Sequence, residues 1–118
     1  MVEDEPDLAE IYTLELEMAG FEVALAKDGA LALEKLKTDT PDFILLDLLM
    51  PEIDGYEFLT KMKNHPKRKK LLIYAWSNLT QKNHIAKAND VGADGFLIKS
   101  DFTPRKLADK IKEILKIK

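Results

Sequence analysis

The chain of 118 residues contains no cysteine, which excludes a disulfide framework and any cysteine-based metal site. Long apolar runs are missing too: nothing approaches the ~20 residues of a membrane span, and no charged-then-apolar leader opens the chain. An excess of positive charge is also lacking. The formal net charge of −3 gives no electrostatic case for nucleic-acid binding. Lys106, Lys110, Lys112, Lys116 and Lys118 make the last segment basic, but their helical spacing is that of a solvated helix face. These absences lead us to expect a soluble cytoplasmic protein with no direct nucleic-acid or membrane contact.

What is present is a globular balance, 46% hydrophobic and 33% charged residues, in a length that suits one domain over residues 1–118 with a single real core. The most informative stretch runs from Phe43 to Gly55. Its apolar start reads as a strand buried on both faces. Asp47 closes that strand, and ligand chemistry in open α/β sheets collects outside the carboxyl ends of strands. Turns favour aspartate anyway, so Asp47 alone decides little.

The rest of the chain alternates strand-like and helix-like segments. Pro6 suits a first helical turn, Leu8, Ile11, Tyr12 and Leu16 follow at helical spacing, and Gly20 stops the helix. Phe21, Val23 and Leu25 alternate with Glu22 and Ala24 as a strand would. A second helix over Ala30, Leu33 and Leu36 closes at Thr40-Pro41, and a third carries Phe58, Leu59 and Met62. Leu71–Trp76 reads as a strand ending at Ser77. Ile85, Ala88 and Val91 mark a helix before Gly92, and Phe96–Ile98 is a short strand ending at Lys99. Thr103-Pro104 caps and opens a last helix, which runs to the end with no second domain expected after it. Such alternation implies a parallel sheet with helices on both faces.

One element is stunted. Only Met1 and Val2 precede Glu3 and Asp4, against ~5–6 residues in an ordinary strand. The first strand is therefore expected to be truncated. Either the chain is a shortened version of a longer one, or another segment fills the gap, as strand swapping or addition in a homodimer would.

The putative strand ends gather Glu3, Asp4, Asp47, Ser77 and Lys99. Clustered carboxylates repel unless they hold a cation or share a proton, and an oxygen-rich site of this kind is what Mg²⁺ prefers. A cation would keep Asp47 ionised as a nucleophile and neutralise an incoming phosphoryl group. Lysine and serine add a point charge and a donor for phosphoryl oxygens. Taken singly, each residue has a bland reading: a helix-start cluster, a turn serine, a surface lysine. His65 and His84 lack metal-ligand partners at useful spacing and read as surface histidines. Strand alternation points Trp76 away from Ser77 and into packing.

With these residues in place, the sequence resembles the receiver domains of two-component response regulators over nearly its whole length. The matching stretches are Val2-Glu3-Asp4-Glu5-Pro6, Asp47 through Gly55, Ser77-Asn78, and Gly92 through Lys99. The resemblance implies a flavodoxin-like (βα)5 doubly wound parallel sheet with strand order 2-1-3-4-5. It implies Asp47 as phosphoacceptor, with Glu3, Asp4, Asp47 and the backbone carbonyl of Leu49 as Mg²⁺ ligands. Ser77 and Lys99 would contact the phosphoryl group, and Ser77 with Phe96 would form the switch pair that alters the surface of the fourth helix, last strand and fifth helix. A sensor histidine kinase or phosphotransfer protein would be the donor, a downstream protein the recipient, and the domain itself not an enzyme.

The departures from the family pattern are Ser100, where proline is usual, and Asn78, in place of a small residue and able to narrow access to Asp47. A cis bond before Ser100 would cost ~2.5–4 kcal/mol, so trans geometry is expected unless the site imposes strain. Leu49 and Leu79 flank the site as apolar residues and cannot orient a hydrolytic water. A haloacid-dehalogenase-type phosphatase would need a second aspartate where Leu49 stands. The alternative function is a receiver-like interaction module that is never phosphorylated.

Overall fold

Five apolar-to-acidic residues, Phe43–Asp47, form the strand β1, and its alternation decides how the molecule is layered. In the computed structural model, which describes residues 1–3, 5–48, 55–78 and 82–116 (side chains of 82–84 excepted), Ile44 and Leu46 enter one core and Leu45 the other. Successive strand residues face opposite sides of a sheet. β2 (Leu72–Ser77) does the same: Ile73 and Ala75 join Ile44 and Leu46, while Trp76 joins Leu45. β3 (Gly95–Ile98) completes a parallel ladder in the order β1-β2-β3.

Helices α1 (Pro6–Met18) and α5 (Pro104–Leu115) cover the face that holds Trp76, through Tyr12, Leu16, Leu107, Ala108 and Ile111. Helices α2 (Gly29–Lys35), α3 (Gly55–Met62) and α4 (Lys82–Asp90) cover the other face, through Ala32, Phe58, Leu59, Met62 and Ala88. Most predicted boundaries are close to these, but α2 ends at Lys35, ahead of the expected close at Thr40-Pro41, and α5 stops at Leu115 with Lys116 turning left-handed. Gly20 and Gly92 take positive φ, +101° and +105°, after α1 and α4, where the left-handed turn favours glycine. Thr103 caps α5, its hydroxyl accepting from the Lys106 N–H at 3.2 Å. Asp28 caps α2 by accepting from the Leu31 N–H at 2.8 Å, a cap the sequence reading passed over.

Two expected strands do not form as ladders among the described residues. Phe21–Leu25 was predicted as a strand, yet among the described residues the pairing there reduces to one parallel bridge between Ala26 and Val2 and a bond from the Met1 amino group to the Ala24 carbonyl at 2.8 Å. A strand exists only where a neighbour supplies hydrogen bonds, and the neighbour here is residues 1–3. Val2 also bridges Leu46, its N–H donating to the Leu45 carbonyl at 2.8 Å and its carbonyl accepting from the Asp47 N–H at 3.0 Å. Residues 1–3 thus stand between Ala26 and β1. Alongside the start of β1 a groove of about 650 Å³ opens, lined by Met1, Val23, Phe43, Leu45 and Leu115 among others.

The amino-terminal edge of the sheet is fastened by two cations. Arg68 donates to the carbonyls of Leu71 (3.1 Å) and Gly92 (2.6 Å) and to Asp94 Oδ2 at 3.0 Å, while Asp94 Oδ2 also accepts from the Ile73 N–H at 2.8 Å. Lys67 reaches the carbonyls of Leu36 and Asp39. At the opposite edge, β1 runs directly against the start of α3. A Cβ on Gly55 would lie 2.6 Å from the Asp47 carbonyl oxygen and the Leu48 Cα, so the close approach depends on glycine.

Candidate functional site

The carboxyl edge of the sheet brings together side chains that are far apart in sequence. The bridges at Val2 seat Glu3 beside the end of β1, β1 ends at Asp47, β2 ends at Ser77, and Lys99 follows β3. All three polar residues delivered by residues 1–3, β1 and β2 are buried: Glu3, Asp47 and Ser77 are 2%, 3% and 2% exposed.

Lys99 is the hub. Its ammonium lies 3.1 and 3.0 Å from the two Glu3 carboxylate oxygens and 3.2 Å from Asp47 Oδ2. Removing charges from water is costly unless they are paired and hydrogen-bonded, and one lysine here serves two carboxylates. The imbalance appears in the acid that is proton-prone. Burial, then the Asp47 charge and a hydrogen bond shared with Asp47, push the Glu3 carboxyl up to about 7 against the opposing pull of Lys99. Burial alone would lower Lys99, but Asp47 and Glu3 together hold it above its ordinary value.

In front of this triad lies a cleft of about 470 Å³ lined by Asp47, Ser77, Lys99, Asn78 and Ser100, with Glu5, Leu8, Tyr12 and Trp76 completing the wall. The α1 contribution was not singled out in the sequence reading. Glu5, Leu8 and Tyr12 are three and four residues apart, so they share one face of the helix start, a signal that was available. Tyr12 is fixed by donating its hydroxyl to the Phe102 carbonyl at 2.7 Å and meets Trp76 edge-on at 5.4 Å between ring centroids. Trp76 is fully buried in the α1/α5 core, as strand alternation predicted, and still forms part of the cleft wall.

Phe96 is half-buried and packs against the core of the α2–α4 face, opposite Ala75 across the ladder. No peptide bond among the described residues is cis, so Lys99–Ser100 is trans, and the Ser100 N–H donates to Asn78 Oδ1 at 2.8 Å. His65 is half-exposed and accepts from the Lys67 N–H through Nδ1 at 3.1 Å, a turn-stabilising role. Asp4, Leu49, Leu79 and the His84 side chain lie outside the described residues.

Whether the donors fit a hard cation follows from the triad. Two carboxylates share one ammonium, Asp47 lines the cleft with Glu3 buried directly behind it on Lys99, and hard oxygen donors of this kind suit Mg²⁺. The described residues alone bring no third acidic or histidine ligand to the cluster. Asp47 is the donor that faces the cleft, Glu3 stands behind it within reach of the same Lys99, and an all-oxygen pair of this kind fits a hard cation.

The sequence profile described as the response regulator receiver domain matches residues 1–112. The alkaline phosphatase synthesis transcriptional regulatory protein PhoP of Bacillus subtilis is 32% identical over 119 residues, covering 98% of this chain and 47% of that protein. The chain thus spans about half the length of the curated relatives it matches. Among solved structures, a putative response regulator from Chloroflexus aurantiacus is 33% identical with a TM-score of 0.86, covering 98% of this chain and 93% of that one. The chemotaxis protein CheY4 of Vibrio cholerae is 29% identical with a TM-score of 0.87, covering 96% and 93%.

Proposed function

The chain belongs to the response regulator receiver domain family of two-component signalling, and from that premise we propose that it is a phosphoacceptor switch with Asp47 as the acceptor. The observation that carries the reading is the Lys99 ammonium within 3.2 Å of Asp47 at the floor of a cleft large enough to admit a phosphoryl group. A carboxylate oxygen of Asp47 attacks phosphorus in line, and the bond from phosphorus to the donor's histidine nitrogen breaks. The imidazole leaves with the electron pair and takes a proton, and Asp47 becomes an acyl phosphate.

The residues of the chain divide the remaining tasks. Lys99 offers a positive charge to a non-reacting phosphoryl oxygen, and Ser77, buried at the end of β2, offers a hydroxyl to another. Tyr12, Leu8 and Trp76 wall the cleft with largely apolar surface, which limits water. Glu3 and Asp47, with Asp4 and the Leu49 carbonyl, would hold Mg²⁺, which supplies charge neutralisation of the incoming phosphoryl group. Counting the Val2 bridges as a strand between Ala26 and β1 supports the order 2-1-3-4-5.

A group transferred stoichiometrically to the chain's own aspartate makes the domain a substrate, not an enzyme. The donor is a sensor histidine kinase or phosphotransfer protein, and the signal leaves through a downstream protein that reads the surface of α4, β3 and α5 after Ser77 and Phe96 rearrange. Apolar Leu49 and Leu79 supply no group to orient water, so the acyl phosphate is long-lived; a half-life of seconds would contradict this. The decisive test is incubation with acetyl phosphate and Mg²⁺ followed by intact mass, where a gain of ~80 Da that vanishes in Asp47→Ala supports the reading. No gain from any small phosphodonor would favour a non-phosphorylated interaction module.

A further inference from the structure

β2 and β3 are neighbours, with Ser77 opposite Ile98. The residues just past their ends, Asn78 and Ser100, therefore meet across the rim of the cleft. Ser100 is the second residue of a short 3₁₀ turn, Lys99–Asp101, where a backbone N–H has no partner within the turn. That N–H donates to Asn78 Oδ1 at 2.8 Å. The bond also fixes which way the carboxamide points: its oxygen faces the amide, so its nitrogen is turned elsewhere. Among the described residues nothing accepts from the two Asn78 N–H groups, and Asn78 lines the same cleft as Asp47.

We propose that Asn78, clamped by the Ser100 amide, is a positioning residue whose carboxamide N–H groups meet the anionic oxygens of an incoming phosphodonor. This rests on Asp47 being the phosphoacceptor. The site behind the rim is short of positive charge, with Lys99 shared between Glu3 and Asp47. A neutral donor at the mouth attracts an anion without joining that charge balance. Aspartate at position 78 would keep an acceptor for the Ser100 N–H while losing the donors and adding repulsion. Proline at position 100 would have no N–H to clamp with.

The test is the rate of Asp47 phosphorylation by acetyl phosphate and by phosphoramidate, measured against donor concentration. Loss of a hydrogen bond to a charged group predicts a half-saturating concentration about tenfold higher in Asn78→Asp and several-fold higher in Asn78→Ala, with the limiting rate largely kept. Ser100→Pro should match Asn78→Ala, and the double variant should be no worse than either, because both remove one unit. Ser100→Ala keeps the N–H and removes only the hydroxyl, so Ser100→Pro should raise half-saturation well beyond it, and the urea unfolding midpoint of each variant reports any folding defect separately. Unchanged half-saturation in Asn78→Asp, or effects of Asn78→Ala and Ser100→Pro that multiply, overturns the proposal while leaving the phosphoacceptor reading intact. An unaltered chain that takes up no phosphoryl group from either donor overturns both.

Discussion

Glu3 should make the protein's stability respond to pH in a way that a single substitution removes. A carboxyl whose folded-state pKa stands above its unfolded value holds its proton more tightly in the folded chain. The stability it contributes is full below the ordinary value of 4.5 and is lost as pH climbs to about 7. At about 1.4 kcal/mol for each pKa unit, that interval makes ionised Glu3 cost about 2–3 kcal/mol between pH 5 and pH 8. Glu3→Gln carries no ionisable group and escapes the loss. The Met1 amino group, lowered to about 6 by burial and then by the Lys35 charge, works in the opposite sense, becoming stabilising as pH rises. Its contribution is common to both proteins and cancels in their difference. The assay is urea unfolding with a chelator present, followed by the fluorescence of Trp76, the single tryptophan and fully buried when folded. The stability of Glu3→Gln relative to the unaltered chain should rise by about 2–3 kcal/mol from pH 5 to pH 8. Parallel curves would refute the claim that Glu3 is a strained, proton-prone acid.

Mg²⁺ at pH 8 should raise the unfolding midpoint of the unaltered chain in proportion to the logarithm of its concentration and leave Asp47→Asn unmoved; equal gains in both would remove Asp47 from the metal site. Gly55→Ala places a methyl against backbone atoms of Asp47 and Leu48 that have little room to yield, so calorimetry should record a loss of about 1–3 kcal/mol and phosphorylation should slow with it. Thr103→Ala removes the cap of α5 and should cost about 1 kcal/mol with phosphorylation unchanged. An added apolar tetrapeptide ahead of Met1 should fill the groove beside β1 and raise the melting temperature, whereas a Gly-Ser tetrapeptide should not.

The sequence was most legible where one residue type has one physical job. Thr103-Pro104 could hardly be anything but a helix start, and Gly20 and Gly92 could be read as stops because positive φ is cheap only for glycine. β1 was visible because a strand buried on both faces needs apolar residues at every position. The segment Phe21–Leu25 misled because alternation reports a face, whereas a strand also needs a neighbour, and three residues pair with only part of it. Glu3, Asp47, Ser77 and Lys99 meet at one edge of the sheet, as their positions at strand ends implied, while Asp4 lies outside the described residues. Their energetics were not legible: that Lys99 grips both oxygens of Glu3 depends on side-chain reach. The Asn78–Ser100 and Tyr12–Phe102 bonds join residues 22 and 90 positions apart, and no local pattern announces such pairs.

The stitching by Lys67 and Arg68 has a mechanical consequence. Each cation grips carbonyls from separate segments, and Arg68 with Asp94 joins the start of β2 to the start of β3. The strands are pinned at the edge remote from Asp47, like the spine of a book. A change of charge at Asp47 then has little leverage on strand register. If Asp47 is phosphorylated as proposed, the rearrangement is expected at the opposite edge, where β2 and β3 release their chains toward α4 and α5, and not as a shift of register along the pinned strands.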